Sequence, residues 1–387
     1  VLSITSAFAE KGVRERGEGS RVNTLIDPAL QNLAFDHLEF YVGNAKQAAH
    51  YYCTAFGFEL IAYRGPETGI YDRVSYAIRQ NDLLIVLTGS LGTRDAIAEH
   101  VARHGDGVRD VAITVDDARA AFGAAVGGGA KPIADPWTTE DAHGRVVCAS
   151  IGTYGDTIHT FVQRRGYTGP FMPGFVPVTG AHTPAVGLSH IDHCVGNVGW
   201  NEMDRWVQYY ERALGFTQLV SFDDKDISTE YTALKSKVVT DAKHRVKLPI
   251  NEPAVGKKQS QIEEYLNSYG GPGVQHIAIA TNDIIATVRA LRANGVEFLE
   301  SPDSYYAEFG TRIGAIDEDI AVLRELSILV DRDDLGYMLQ IFTKPLQDRP
   351  TMFFEIIQRH GSLSFGKGNF KALFVSIEAE QAKRGAL

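Results

Sequence analysis

The same order of motifs runs twice through these 387 residues. Asp192-His193-Cys194-Val195-Gly196-Asn197 leads into a helix-like run that carries Tyr209-Tyr210 and ends at Gly215-Phe216. Earlier in the chain, Asp36-His37 is followed by Val42-Gly43-Asn44, Tyr51-Tyr52 and Gly57-Phe58. Gly273-Val274-Gln275-His276-Ile277-Ala278-Ile279 echoes Gly107-Val108-Arg109-Asp110-Val111-Ala112-Ile113. Glu355-Ile356-Ile357-Gln358-Arg359-His360-Gly361 echoes Thr160-Phe161-Val162-Gln163-Arg164-Arg165-Gly166. At the matched positions the second copy reads His193, His276 and Glu355, and the first reads His37, Asp110 and Thr160. Folding needs the shared apolar frame in both copies. It does not need two imidazoles and a carboxylate in one copy only. The asymmetry points to one metal site in the C-terminal half and a degenerate N-terminal copy, with His37 structural.

A chain of this length exceeds a single core, so two domains are the default. Pro170, Pro173, Pro177 and Pro184, with glycines between them, mark residues 166–187 as a linker that cannot hold a helix or a central strand. The domains are then 23–165 and 188–387, after a polar arm at 1–22 that is expected to be loosely held. In the second half Met203, Trp206, Val207, Tyr210, Ala213 and Leu214 follow helical spacing, with Gly215 as C-cap. Further helices are predicted at 283–294, 117–129 and 369–383, and strands at 246–249, 274–280, 338–342 and 352–357. Each half therefore holds two βαβ-like modules, an α+β arrangement whose strands can curl around a shared cavity.

The net charge of −10 excludes the basic face of a nucleic-acid binder, and no apolar run is long enough to span a bilayer. Cys53, Cys148 and Cys194 are odd in number and widely spaced, which fits a reducing cytoplasm rather than a disulfide framework. A homo-oligomer is expected.

A lone histidine in a strand is ordinarily a hydrogen-bonded core residue. Glu355 is less ordinary, because it stands in Phe353-Phe354-Glu355-Ile356-Ile357, which reads as a buried strand. A carboxylate there is costly unless it is paired or bound to a cation. Alternation puts Phe353 and Glu355 on one face. The three ligand candidates lie about 80 residues apart, so each comes from a different strand. Two imidazoles and a carboxylate that leave open positions suit non-haem Fe(II); zinc sites use the same ligand types. Polar groups in apolar settings (Ser236, Asn251, Gln261, Gln275 and Gln340) and the aromatics Phe342, Phe353, Phe365 and Phe370 suit a planar aromatic ligand with a hydrogen-bonding head.

Several motifs carry a closer likeness. They are the His193 hexapeptide, Leu248-Pro249-Ile250-Asn251-Glu252-Pro253, Gly273-Val274-Gln275-His276, Leu339-Gln340-Ile341-Phe342-Thr343-Lys344-Pro345, Arg349-Pro350-Thr351, Phe354-Glu355-Ile356-Ile357 and Phe365-Gly366-Lys367-Gly368-Asn369-Phe370. Together they resemble the 4-hydroxyphenylpyruvate dioxygenase family of the vicinal-oxygen-chelate superfamily, over roughly residues 34–387. The resemblance implies two vicinal-oxygen-chelate domains of paired βαβββ modules, each an open barrel, with a C-terminal lid helix. It implies Fe(II) on His193, His276 and Glu355. Ser236, Asn251 and Gln261 would then form the polar end of the pocket near the substrate phenol, and Gln275 and Gln340 would lie beside the keto acid. Pro249, Phe342, Phe353, Phe365, Asn369 and Phe370 would complete the substrate pocket. The implied reaction takes 4-hydroxyphenylpyruvate and dioxygen to homogentisate, in tyrosine and phenylalanine catabolism. Ser364 stands where the family usually has Gly, and its Cβ is expected to restrict the lid. The alternatives are 4-hydroxymandelate synthase, which hydroxylates the benzylic carbon, a non-catalytic aromatic-binding protein on the same scaffold, and a zinc hydrolase.

Overall fold

The computed structural model describes residues 27–178, 184–223, 231–307, 309 and 313–385, so the arm expected at 1–22 lies outside the described residues. The N-terminal half runs β1 (Ala34–Tyr41), α1 (Ala45–Phe56), β2 (Glu59–Arg64), β3 (Arg73–Gln80), β4 (Leu83–Ser90), α2 (Ala96–His104), β5 (Gly107–Thr114), α3 (Ala118–Gly127), β6 (Lys131–Asp141), β7 (Gly144–Gly152) and β8 (Ile158–Gln163). A short β9 (Val176–Pro177) follows. The C-terminal half repeats the order: β10 (Leu188–Asn197), α4 (Met203–Leu214), β11 (Thr217–Phe222), β12 (Ala233–Thr240), β13 (Lys247–Ala254), α5 (Gln261–Tyr269), β14 (Gly273–Thr281), α6 (Ile284–Ala293), β15 (Leu329–Asp333), β16 (Gly336–Phe342) and β17 (Phe353–His360). The chain closes with the helix Phe370–Lys383.

Each half is thus two βαβββ modules joined by one helix, and the sheets match strand for strand. The first is ordered β6-β7-β8-β5-β1-β4-β3-β2-β9 and the second β11-β12-β13-β10-β14-β17-β16-β15. In both, the leading strands of the two modules pair antiparallel, β1 with β5 and β10 with β14. Each leading strand also pairs parallel with the last strand of its own module. The modules therefore sit side by side, and each sheet curls into an open barrel.

The local signals are those of the sequence. Asp283 and Asp117 accept amide hydrogens at the starts of α6 and α3, and Ser260 with Glu263 forms a reciprocal cap on α5. Gly57 and Gly215 end α1 and α4 at φ 69° and 65°, a conformation open to glycine at little cost. The predicted strand at 246–249 continues through Pro249 to Ala254. Proline offers no N–H to a ladder, and parallel pairing of β13 with β10 is confined to Gly196↔Ile250 and Asn197↔Asn251.

The main apolar core lies between the helices and the outer faces of the sheets and runs through both halves, with Phe56 edge-on to Phe354 at 5.2 Å. The inner faces differ. In the first barrel Ala62, Ala77 and Val86 are covered by Phe171 and Phe175. Both phenylalanines belong to the segment 166–187, whose β9 adds an edge strand to β2. That segment is more than a spacer: it fills the first barrel. Among the described residues, no helix is long and apolar enough to cross a membrane.

Candidate metal centre

Three neighbouring strands of the second sheet carry the predicted ligands. His193 on β10 pairs with Ala278 on β14, and Ala278 pairs with Glu355 on β17. Paired residues share a face, and His276 lies two residues before Ala278 on that same face. The methyl of Ala278 thus leaves the space in which two imidazoles and a carboxylate converge. Their ligand atoms all lie within 4.8 Å of one another. Glu355 Oε2 is 3.3 Å from His193 Nε2 and 3.5 Å from His276 Nε2, and all three side chains are buried.

The outer partners fix which nitrogen faces inward. His193 Nδ1 donates to Asp192 Oδ1 at 2.7 Å, and His276 Nδ1 donates to Gln275 Oε1 at 3.1 Å. Each Nε2 then presents a lone pair to the same point as the carboxylate. Burial opposes the charge of Glu355, but the two imidazoles outweigh it and hold the carboxyl down at about 2. Burial also lowers His276, whereas His193 is raised overall because Glu355 and Asp192 outweigh its burial. Two nitrogen lone pairs and an ionised carboxylate, aimed at one point, fit a divalent metal ion.

Asp192 is itself held. Arg359 grips it through Nε and Nη2 at 2.8 and 2.9 Å, and Lys247 Nζ lies 3.0 Å away. Against the cost of burial, His193 and these cations keep the Asp192 carboxyl well below its usual range. Arg359 Nη1 also donates to the carbonyls of Ser362 and Ser364, which lead into the C-terminal segment. Replacing Arg359 by Met should weaken metal affinity by about 10- to 100-fold, the usual consequence of losing an outer partner. Equilibrium metal titration checks this, and unchanged affinity would show that Lys247 suffices.

The first barrel repeats the outer shell without the ligands. His37 Nδ1 donates to Asp36, and Arg164 grips Asp36 through Nε and Nη2 at 2.9 and 2.6 Å. At the second and third ligand positions, however, Thr160 donates its backbone N–H to Asp110 at 3.0 Å and its hydroxyl to the other carboxylate oxygen. Burial pushes the Asp110 carboxyl up to about 7. Phe171 stands edge-on to His37 at 5.1 Å, as Phe365 stands to His193 at 5.1 Å.

Above the triad is a cavity walled by aromatic, aliphatic and carboxamide side chains. All the predicted pocket residues line it except Asn369. Asn369 is fully buried at the start of the last helix, and its Oδ1 accepts from the Tyr305 hydroxyl at 2.7 Å. Phe353 stacks on His276 at 4.8 Å, and Phe342 meets the same ring edge-on at 6.1 Å. Ser236 pairs with Asn251 across β12 and β13, and Asn251 Nδ2 donates to Asn197 Oδ1 at 3.4 Å. Among the described residues, Gln340 Oε1 is buried without a partner. The backbone of Gly366 lies so close to that amide that a Cβ would come within 2.6 Å of it.

Val195, Phe222, Leu234 and Val238 line the cavity as well, and so do Leu373 and Phe374 of the last helix. Leu234 and Val238 follow from alternation around Ser236, and Phe222 pairs with Ser236 across β11 and β12. Leu373 and Phe374 belong to the apolar face of the last helix, which docks on the cavity. Ser364 fastens the loop before that helix: its hydroxyl donates to Asp331 at 2.8 Å and accepts from Gly366 N at 3.0 Å.

A family profile described as Glyoxalase/Bleomycin resistance protein/Dioxygenase superfamily matches residues 34–155 and 190–341. The 4-hydroxyphenylpyruvate dioxygenase of Yarrowia lipolytica is 50% identical over 367 residues, spanning 91% of this chain and 93% of that protein. Those of Xenopus tropicalis and Caenorhabditis elegans are each 49% identical, over 92% of this chain and 93% of theirs. Among solved structures, a mutant of 4-hydroxymandelate synthase from Streptomyces coelicolor superposes with a TM-score of 0.80 at 31% identity, covering 90% of this chain and 98% of that one.

Proposed function

The chain belongs to the 4-hydroxyphenylpyruvate dioxygenase family, and on that premise we propose that it converts 4-hydroxyphenylpyruvate and dioxygen to homogentisate and carbon dioxide. The observation that carries the reading is a two-histidine, one-carboxylate cluster at the floor of a cavity lined by phenylalanines and carboxamides. Fe(II) would be held by His193, His276 and Glu355, and when bound it supplies the dioxygen activation that side chains cannot. Among the described residues that line the cavity, no other side chain is titratable. A zinc hydrolase would need a base there to deprotonate water, so the redox reading is the better one.

The rest of the work belongs to the chain. Phe342, Phe353, Phe365 and Phe370 enclose the ring and keep water out. Gln275 and Gln340 lie at the triad end, where the keto acid head needs hydrogen bonds, and the free Oε1 of Gln340 can accept one. Ser236, Asn251 and Gln261 form the polar end for the phenol. Held at both ends, the ring is presented for hydroxylation as the side chain shifts to the neighbouring carbon. The atoms balance: one carbon leaves as carbon dioxide, and both oxygen atoms of dioxygen are retained in homogentisate. The place of this reaction is tyrosine and phenylalanine catabolism, and the free thiols of Cys53, Cys148 and Cys194 support a reducing cytoplasm.

The likeness to 4-hydroxymandelate synthase makes benzylic hydroxylation the second reading. Anaerobic loading with Fe(II), then 4-hydroxyphenylpyruvate and oxygen, separates the two by product. Homogentisate is expected; 4-hydroxymandelate as the main product would overturn the assignment.

Asn251 is the residue to alter for regiochemistry. An unpaired buried amide or hydroxyl costs about 1–3 kcal/mol, so Asn251→Ala should weaken substrate binding by roughly 5- to 150-fold or move product toward the benzylic alcohol. Unchanged affinity and product ratio would remove Asn251 from the substrate's surroundings.

A further inference from the structure

A second group of ligand-type side chains lies outside the triad, where the two halves meet. His100 and His104 are one turn apart on α2, and Asp156 lies in the turn between β7 and β8. Each offers one ligand atom, and the three atoms lie within 4.8 Å of one another. Both histidines are buried, while Asp156 is half exposed and opens the cluster to solvent.

The hydrogen bonds leave room for a cation among the three side chains. His104 Nδ1 lies 2.5 Å from the carbonyl oxygen of Tyr269, at the end of α5 in the other half. A carbonyl only accepts, so Nδ1 carries the proton. In the neutral ring, Nε2 then has only a lone pair, and it faces Asp156 Oδ2 at 2.9 Å. Two acceptors at that distance repel unless something positive lies between them. A proton would satisfy His104 and Asp156, but it would leave Nε2 of His100 buried without a partner.

We propose that His100, His104 and Asp156 form a second divalent-cation site, of the zinc type, that ties the two halves together. Two imidazoles and one carboxylate leave a fourth position for water on the exposed side. The bond from His104 to the Tyr269 carbonyl is the outer contact that metal-bound histidines usually make, and it joins the site to α5. Tyr269 also stacks on His104 at 4.3 Å, so the ring is held in place before any ion arrives. Arg103 Nη1, 3.4 Å from Asp156 Oδ2, is mostly exposed and free to swing away as the ion enters. The site is independent of the reaction proposed above.

The test is to equilibrate the iron-loaded protein with Zn(II), desalt it, and count both metals. One zinc per chain, with iron unchanged, is the expected result. His100→Gln and Asp156→Asn should each lose the zinc and keep the iron. Zinc should also raise the melting temperature of the parent but not of His100→Gln. No retained zinc, zinc gained only as iron is lost, or full retention by His100→Gln would each overturn the proposal. A variant that fails to fold does not block the test, because crystals of the unaltered protein soaked in Zn(II) should show anomalous scattering between His104 and Asp156. Scattering confined to His193, His276 and Glu355 would overturn it as well.

Discussion

His276→Ala should give a folded protein that neither retains iron nor forms homogentisate. The residue sits on β14, the strand between those carrying the other two ligands, so its loss leaves a donor on either side and a gap between them. A nitrogen and one carboxylate cannot hold ferrous iron against water and buffer as three converging donors can. The strand itself should tolerate the change. Its backbone pairs with β10 and β17 on both sides, and the ring's main contacts are Phe353 and Phe342, which remain stacked on their own sheet. The iron content should drop to background with turnover below detection, while circular dichroism stays as in the parent. Full activity in this variant would show that the triad is misassigned.

The second large effect is expected from ending the chain after Ser364. The missing segment supplies Phe365, Phe370, Leu373 and Phe374 to the cavity wall. It is fastened from outside by Thr232 to Glu378 at 2.7 Å, by Ser376 to the Glu300 carbonyl at 2.7 Å, and by Arg384 to Glu264 at 2.9 Å. Without it the triad opens to water, and oxygen activation is no longer held to the substrate. Arg359, Asp192 and His193 are all retained, so iron should stay. Oxygen consumption should exceed homogentisate formed, with most of the oxygen uncoupled. Phe370→Ala is the milder companion, in case the exposed Phe222 and Leu234 make the short chain aggregate. A truncated enzyme that stayed fully coupled would make the segment a structural tail.

Much of this was legible in the sequence because the repeat supplies its own comparison. The candidate ligands stand out against Asp110 and Thr160, and the helix ends are marked by Asp117, Asp283 and Gly215. Periodicity could also place Phe353 beside Glu355. What it could not supply was the partner of a residue across the sheet. Phe222 reaches the cavity because it pairs with Ser236, and that register depends on tertiary pairing that a local pattern does not encode. Asn369 is a similar case: it lies beside the lining residue Phe370, but the tight turn before the helix aims it at Tyr305. The prolines and glycines of the linker describe only what it cannot form. They do not reveal that Phe171 and Phe175, only two residues among them, fill the first barrel.

That filled barrel also serves as a natural control on the second. Arg164, Asp36 and His37 hold the same contacts as Arg359, Asp192 and His193, although Asp110 and Thr160 bond to each other where that barrel would need its other two ligands. The clamp on the histidine therefore assembles as part of folding and owes nothing to an ion. The enzyme is born with its metal seat already shaped. Apoprotein and holoprotein should share one fold, and iron should load late, reversibly, and without a refolding step.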